Sequence, residues 1–362
     1  RRCISTSAII SIISGFLLMV LGTSLARPIL EAMSAPADVI DLATLYLRIY
    51  FCGMPFIMIY NFGSAIMRSV GDTRLPFYSL LIATLCNLLL DWVFVALFDW
   101  GVAGVAWATV IANGINAAII VYFLTREHDP ITLVFTGWKF SRPDFSNMLR
   151  IGIPAGLQGM VFSISNIFIQ SAINQFGSDA IAGSAAALTY EAYCYYIVAA
   201  FTAATIAFTG QNYGASKPER CKRVVCICLL YSVVLCGLAN LLVVWQERAC
   251  MSVFTTDPEV IRYAFIRFHT VLIFQSIASS YEIFGAYMRG LGYSLTPMLL
   301  TIFGTCILRL AWVYSLHGTQ YSFGRLLAIY PISWAITGLT VIAAALWVQR
   351  RVFARMTNTA YD

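Results

Sequence analysis

Met67-Arg68-Ser69-Val70-Gly71-Asp72-Thr73-Arg74-Leu75-Pro76 and Met288-Arg289-Gly290-Leu291-Gly292-Tyr293-Ser294-Leu295-Thr296-Pro297 are one phrase written twice, R-x-x-G-x-x-x-x-P. The second copy follows the first at an offset of 221 residues (289 − 68 = 221). Without a gap, that offset also pairs Arg1-Arg2 with Lys222-Arg223, Arg27 with Arg248 and Val39-Ile40 with Val260-Ile261. It pairs Ala43 with Ala264, Tyr60 with Tyr281, Ala65 with Ala286 and Thr84 with Thr305 as well. A spacing held over such a stretch marks a tandem duplication. Duplicated bundles of membrane helices are a recurrent plan of secondary transporters.

Composition supplies the solvent in which that duplication must fold. The chain is 60% hydrophobic and 11% charged, against about 25% charged residues in an ordinary soluble domain. Lipid is therefore the expected medium. The formal net charge of +6 does not point to nucleic acid, because the cations gather at the ends of apolar runs and not in one stripe. The ten cysteines are scattered and contain no C-x-x-C pair, and His128, His269 and His317 lie far apart. No metal site or cofactor is expected from that pattern, and the cysteines read as buried, inert thiols. No signal peptide is visible, since Arg1-Arg2 leads straight into a membrane-length apolar run.

A spanning helix needs about 20 apolar residues. Ten such runs are predicted, at 4–26, 39–67, 76–98, 101–124, 151–175, 180–209, 224–246, 260–288, 296–316 and 326–349. The second and eighth are long enough to tilt or to leave the lipid. One side of the runs collects Arg68, Arg74, Arg126, Lys139, Arg142, Arg150, Lys217, Arg220, Arg350, Arg351 and Arg355, among others. The opposite loops are short and hold Glu31, Asp38, Asp99, Asp179, Asp257 and Glu259. The cationic side is expected to be cytoplasmic, with the C-terminus there, in an inner or plasma membrane. The polar break at about 125–149, with Pro130 and Pro143, links an N-terminal lobe (1–137, four helices) to a C-terminal lobe (138–362, six helices). The fold class is all-α and polytopic, two pseudo-symmetric bundles of 4 + 6 visible helices. The second half has two helices before Lys222 for which the first has no equivalent before Arg1. A matching pair is therefore expected upstream in a twelve-helix parent.

Three acidic residues fall well inside the runs: Asp91, Glu191 and Glu282. A carboxylate at mid-bilayer costs about 2.5–3.5 kcal/mol, so it persists where it faces water, a cation or a transported ion. Thr84, Asn87 and Asp91 share one helix face, and Thr109, Asn113 and Asn116 share a face of the next helix. The link Asp99-Trp100-Gly101 is short, which makes the two helices antiparallel neighbours with Asp91 and Thr109 at similar depth. Asp91, Asn87 and Thr109 would offer hard oxygens for Na⁺ or a titrating proton. The competing reading is a structural hydrogen-bond knot between two helices.

In the C-terminal half, Arg309 lies inside its helix and needs a partner. Glu191 is the nearest acid by depth, so a Glu191–Arg309 pair is expected, structural or part of transport. Glu282 joins Glu191 and Arg309 in a candidate C-lobe charge site, the competing reading being a solvated helix edge close to Arg289. Gln158, Ser163, Asn166, Gln170 and Asn174 form a polar stripe that lines a cleft or packs against another helix. Tyr190, Tyr193, Tyr195 and Tyr196 crowd around Glu191, and aromatic faces beside a carboxylate suit a bulky organic cation. Arg68 and Arg289 read as anchors of helix ends. No phosphate loop, H-E-x-x-H or nucleophile elbow occurs, so no enzyme is expected.

Taken together, several phrases resemble the multidrug and toxic compound extrusion (MATE) family. They are Arg68 to Pro76, Asn87-Leu88-Leu89-Leu90-Asp91, Trp100-Gly101-Val102-Ala103-Gly104 with Ala108-Thr109-Val110-Ile111, Gly152-Ile153-Pro154, and Gly210-Gln211-Asn212-Tyr213-Gly214-Ala215. The resemblance covers nearly the whole chain. It implies twelve helices in two lobes around a cleft, of which the third to twelfth are visible, and efflux of amphipathic drugs driven by Na⁺ or H⁺. It implies that Asn87, Asp91 and Thr109 match an N-lobe cation site, whose further Asp on the first helix has no counterpart here. The C-lobe acid of some relatives also has no counterpart in 151–175. The function that follows is an antiporter exporting organic, cationic and amphipathic compounds, xenobiotics among them, in exchange for Na⁺ or H⁺. Its substrate cleft is drawn from Gln158, Asn166, Gln170, Asn174, Tyr190, Tyr193 and Asn113. The protein is expected to act as a monomer with no nucleic-acid partner. The alternative is a lipid-linked precursor flippase of related architecture, whose pyrophosphate would call for several deep cations where the sequence offers Arg309.

Overall fold

Apolar runs of this length have one way to satisfy their backbone in lipid, the helix. The computed structural model describes residues 2–32, 39–126, 132–133, 138–316 and 320–358. Arg1, Asp38, His128, Pro130 and His317 lie outside the described residues, as does the side chain of Arg355. Among the described residues the chain is helices joined by short turns and loops, with no strand. Nine helices are long and apolar enough to cross a membrane, and a bent pair brings the number to ten. The ten-run reading therefore holds. The described residues form two compact units, Arg1–Met148 and Leu149–Asp362.

The first unit contains α1 (Arg2–Ala32), α2 (Ile40–Cys52), α3 (Met54–Ser69), α4 (Arg74–Trp92) and α5 (Gly101–Arg126). Its core is thin and built on α5, with Ile4, Met67, Ile120, Leu124 and Leu133 in one cluster and Ile49, Ala106 and Val110 in another. The long run 39–67 does not cross as one straight helix. It bends by 46° between α2 and α3 at Gly53. Pro55 in the first turn of α3 has no N–H to carry the ladder across that point, so the extra length goes into an angle.

The second unit begins within α6 (Arg142–Asn174) and continues through α7 (Ser178–Gly214), α8 (Pro218–Trp245) and the short α9 (Glu247–Ser252). Next come α10 (Pro258–Thr270), α11 (Ala278–Gly290), α12 (Leu295–Thr301), α13 (Leu308–Leu316), α14 (Phe323–Leu327) and α15 (Ile329–Asn358). The long run 260–288 is likewise interrupted, by a 3₁₀ segment at Leu272–Ile277 between α10 and α11. A π-helical segment, Ile302–Ile307, joins α12 to α13.

The duplication is written into the backbone of each unit. Gly71 and Gly292 both take left-handed φ, +95° and +87°. In the first unit, Gly71 N–H bonds Arg68 O at 3.0 Å and Asp72 N–H bonds Met67 O at 3.1 Å. In the second, Gly292 N–H bonds Arg289 O at 2.9 Å and Tyr293 N–H bonds Met288 O at 2.8 Å. These are two Schellman caps at matched positions, each needing glycine where the helix reverses. Pro76 and Pro297 then sit in the first turn of the following helix, where a missing N–H costs nothing.

Candidate functional site

In the first unit, α4 turns its apolar side outward. Leu85, Leu88 and Leu89 are 59%, 69% and 61% exposed to what would be lipid. Asn87 and Asp91 are half-buried on the same helix. Asn87 Nδ2 and Asp91 Oδ1 are both inaccessible and have no hydrogen-bond partner. A carboxylate oxygen so placed is costly unless something is delivered to it. Asparagine O and N are set by the hydrogen-bond network, so Asn87, one turn before Asp91, can present oxygen as well as nitrogen on that face. One turn further, the helix loosens into a π segment, Val93–Leu97, and closes on stacked Phe94 and Trp100 with centroids 5.0 Å apart. The link to α5 is as short as its sequence implies.

The other residues of this face divide by role. Thr109 is half-buried on α5, and its hydroxyl donates to Val105 O at 3.0 Å, which leaves its lone pairs available. Asn113 is half-buried on the same helix. Thr84 is exposed and donates to Leu80 O at 2.8 Å. Asn116 is buried and accepts from Ser79 through both its backbone and side-chain oxygens, tying α4 to α5. The knot between the helices is therefore made by Ser79 and Asn116, while Asp91 and Asn87 take no part in it.

The second unit forms a half-open chamber of about 360 Å³. Among its lining residues are Glu191 from α7, Arg267 from α10, Gln275 from the 3₁₀ segment and Arg309 from α13, with Asn166 and Gln170 from α6. Phe162, Tyr195, Tyr281, Tyr330 and Trp334 supply aromatic walls. Glu191 does not pair with Arg309, as depth alone implies. Its partner is Arg267, whose Nε and Nη2 donate to the two carboxylate oxygens at 2.6 and 2.9 Å. Arg267 Nη1 donates to Ser184 Oγ at 2.9 Å, and Gln275 Nε2 donates to Glu191 O at 2.8 Å. The reason is packing. A Cβ on Gly183 of α7 would collide with Val260 O of α10. That glycine lets the two helices touch about two turns before Glu191 and Arg267, which fixes the faces that meet. Arg267 went unnoticed in the sequence, although it is a cation well inside the run 260–288.

Arg309 is fully buried, with 0% exposure. Its Nε donates to Ser333 Oγ at 3.1 Å, while Nη1 and Nη2 have no partner. The guanidinium lies 4.5 Å from the Tyr330 ring centroid and 5.3 Å from that of Phe162. Arg267 lies 5.5 Å from the same Tyr330 ring.

The remaining predicted residues are placed as follows. Glu282 is not at a solvated helix end. It accepts from Tyr195 OH at 2.9 Å and lines a second cavity of about 240 Å³ with Arg289, Gln158 and the shared Phe162 and Tyr195. Arg289 does more than anchor α11, since its Nη2 donates to Gln158 Oε1 at 2.8 Å. Gln170 donates to Asn174 Oδ1 at 3.0 Å on an exposed face. Tyr190 donates to Cys250 O at 2.9 Å and packs edge-on against Phe254 and Phe268. Tyr193 and Tyr196 are 64% and 65% exposed and do not line the chamber. The aromatic cluster around Glu191 is thus split, and its carboxylate is already engaged by a cation. Among the described residues no group of three metal-ligating side chains occurs.

Sequence and fold comparisons agree with one another. The MatE family model matches residues 1–93 and 154–314. The chain is 26% identical over 349 residues to the probable multidrug resistance protein YoeA of Bacillus subtilis, covering 94% of this chain and 75% of YoeA. It is 30% identical over 201 residues to the probable multidrug resistance protein YpnP of the same organism, covering 55% of this chain and 44% of YpnP. In fold it is similar to a mutant of the Vibrio cholerae MATE transporter VcmN, with a TM-score of 0.88 at 20% identity, over 97% of this chain and 80% of that one. With the family model matching well over half its length and membrane-spanning helices of the same arrangement, this chain belongs to the MatE family of multi-pass membrane transporters.

Proposed function

We propose that the protein is a secondary antiporter that exports amphipathic organic compounds, cations among them, in exchange for Na⁺ or H⁺, and that Asp91 carries the coupling ion. One observation supports this most. Asp91 Oδ1 is inaccessible and unpartnered, as is Asn87 Nδ2 one turn earlier, on a helix whose Leu85, Leu88 and Leu89 are exposed. Thr109 supplies a further oxygen. The names of the B. subtilis relatives, both probable multidrug resistance proteins, support an exported drug-like substrate. Coupling requires that Asp91 bind its ion differently in the two access states. The distribution of Arg and Lys supports a cytoplasmic C-terminus in the plasma membrane, and the protein acts as a monomer. A flippase for a lipid-linked pyrophosphate has less support, because one of the two chamber guanidiniums, Arg267, is neutralised by Glu191.

The test is uptake of a fluorescent organic cation into everted vesicles, with Na⁺ and pH gradients imposed separately. One gradient is expected to drive uptake, and Asp91→Asn is expected to abolish the driven component while the protein still inserts. Undiminished gradient-driven uptake by Asp91→Asn would remove that carboxylate from the mechanism.

A further inference from the structure

We propose that the chamber of the second unit is a binding site for a small aromatic organic anion, held by the guanidinium of Arg309. The proposal concerns a site apart from Asp91 and does not depend on the coupling assigned to it.

Charge is the first argument. The chamber lining carries one carboxylate, Glu191, and two guanidiniums, Arg267 and Arg309. Both carboxylate oxygens are taken by Arg267. The local balance is therefore +1, with the surplus on Arg309. A buried, uncompensated guanidinium is costly in a low-dielectric interior. Its one hydrogen bond to Ser333 and its contacts with Tyr330 and Phe162 leave the charge itself unanswered.

Geometry is the second. Ser333 holds Nε, so the two free nitrogens are Nη1 and Nη2. Those two form the end-on fork that matches a planar carboxylate with two parallel hydrogen bonds. The head is fixed by packing. A Cβ at Gly304 would overlap the Thr337 hydroxyl, so the π segment and α15 meet closely about a turn from Arg309 and from Ser333. The guanidinium is thus preorganised. Gln275 Oε1 is a second unpartnered buried atom on the same lining, an acceptor for a hydroxyl or amino substituent.

The walls and size are the third. Phe162, Tyr195, Tyr281, Tyr330 and Trp334 give the lining five aromatic faces, which favour a flat ring. A chamber of about 360 Å³ is at the small end of the range for organic ligand pockets, about 300–1,000 Å³. An aryl monocarboxylate satisfies the charge, the fork and the walls at once.

The experiment is equilibrium dialysis of the purified full chain in detergent, with no ion gradient, using 1-naphthoate and its neutral analogue 1-naphthamide. Naphthoate is expected to bind at least roughly tenfold more tightly than the amide. Arg309→Gln is expected to remove that preference, and Arg309→Lys to keep part of it, with the charge but not the fork. Absence of naphthoate binding to the unaltered chain, equal binding of acid and amide, or a preference that survives Arg309→Gln would each overturn the proposal. If Arg309→Gln does not fold, the acid–amide comparison on the unaltered chain and on Arg309→Lys decides. Because no gradient is involved, a failure here leaves the coupling reading of Asp91 standing, and the reverse also holds.

Discussion

Replacing Glu191 with Gln removes the negative partner from the most deeply buried ion pair of the second unit. Arg267 is 2% exposed and Glu191 6%. The guanidinium would keep its bond to Ser184 and one bond to the amide oxygen, and would lose the other of two bonds now 2.6 and 2.9 Å long, with an amide NH2 donor set against its own N–H. Hydrogen bonds to charged groups contribute about 1.5–3 kcal/mol each, and removing one partner of a buried pair costs about 3–5 kcal/mol. The lost bond alone is the lower bound, and with the charge left uncompensated the loss comes to about 4 kcal/mol. For a unit the size of Leu149–Asp362, that corresponds to a fall of about 8–16 °C in the unfolding midpoint. Thermal unfolding of detergent-solubilised protein, followed by tryptophan fluorescence, measures it. A double-mutant cycle identifies the partner. Arg267→Met combined with Glu191→Gln should recover at least about 2 kcal/mol relative to the sum of the single changes, because a buried pair replaced as a whole is often nearly neutral. Arg309→Met combined with Glu191→Gln should couple by less than about 1 kcal/mol. Stronger coupling to Arg309 than to Arg267, or a single-variant loss below about 1 kcal/mol, would refute the assignment.

Two further outcomes test the architecture. Gly71→Ala and Gly292→Ala should each cost about 1–2 kcal/mol and by similar amounts, because in both places a Cβ meets nothing within 4 Å and only the left-handed φ resists it. Thermal midpoints of the two single variants check the match, and a neutral substitution at either site would mean that the cap is not formed. Ser79→Ala should cost about 1–3 kcal/mol by leaving the buried Asn116 side-chain oxygen without its donor. The double change with Asn116→Ala should then recover part of that loss in the same assay.

The corner phrase, the ten apolar runs and the inward face of Asp91 were legible because each depends on periodicity along one element. A left-handed glycine announces itself in R-x-x-G, and a carboxylate among leucines has only one side to face. The partner of Glu191 was not legible in this way. Depth places Glu191, Arg267 and Arg309 within reach of one another, but the choice among them depends on azimuth. That was set by Gly183 letting α7 lie against the Val260–Ala264 stretch of α10. The tyrosines failed for the same reason. Tyr190, Tyr193, Tyr195 and Tyr196 are neighbours in sequence, yet a helix sends them in different directions, and Tyr195 alone of the four lines the chamber. Bends were hidden as well, since a run of apolar residues reports length and not straightness.

The matched corners carry one more consequence. Every bond that closes the turn at Gly71 or Gly292 joins residues no more than five positions apart in the chain. Such a turn needs no distant partner and can set within microseconds once the preceding helix exists. During synthesis each hairpin can therefore leave the ribosome already bent. The angle between its arms is set locally, while the arms themselves find their packing elsewhere, α3 and α4 both against α5.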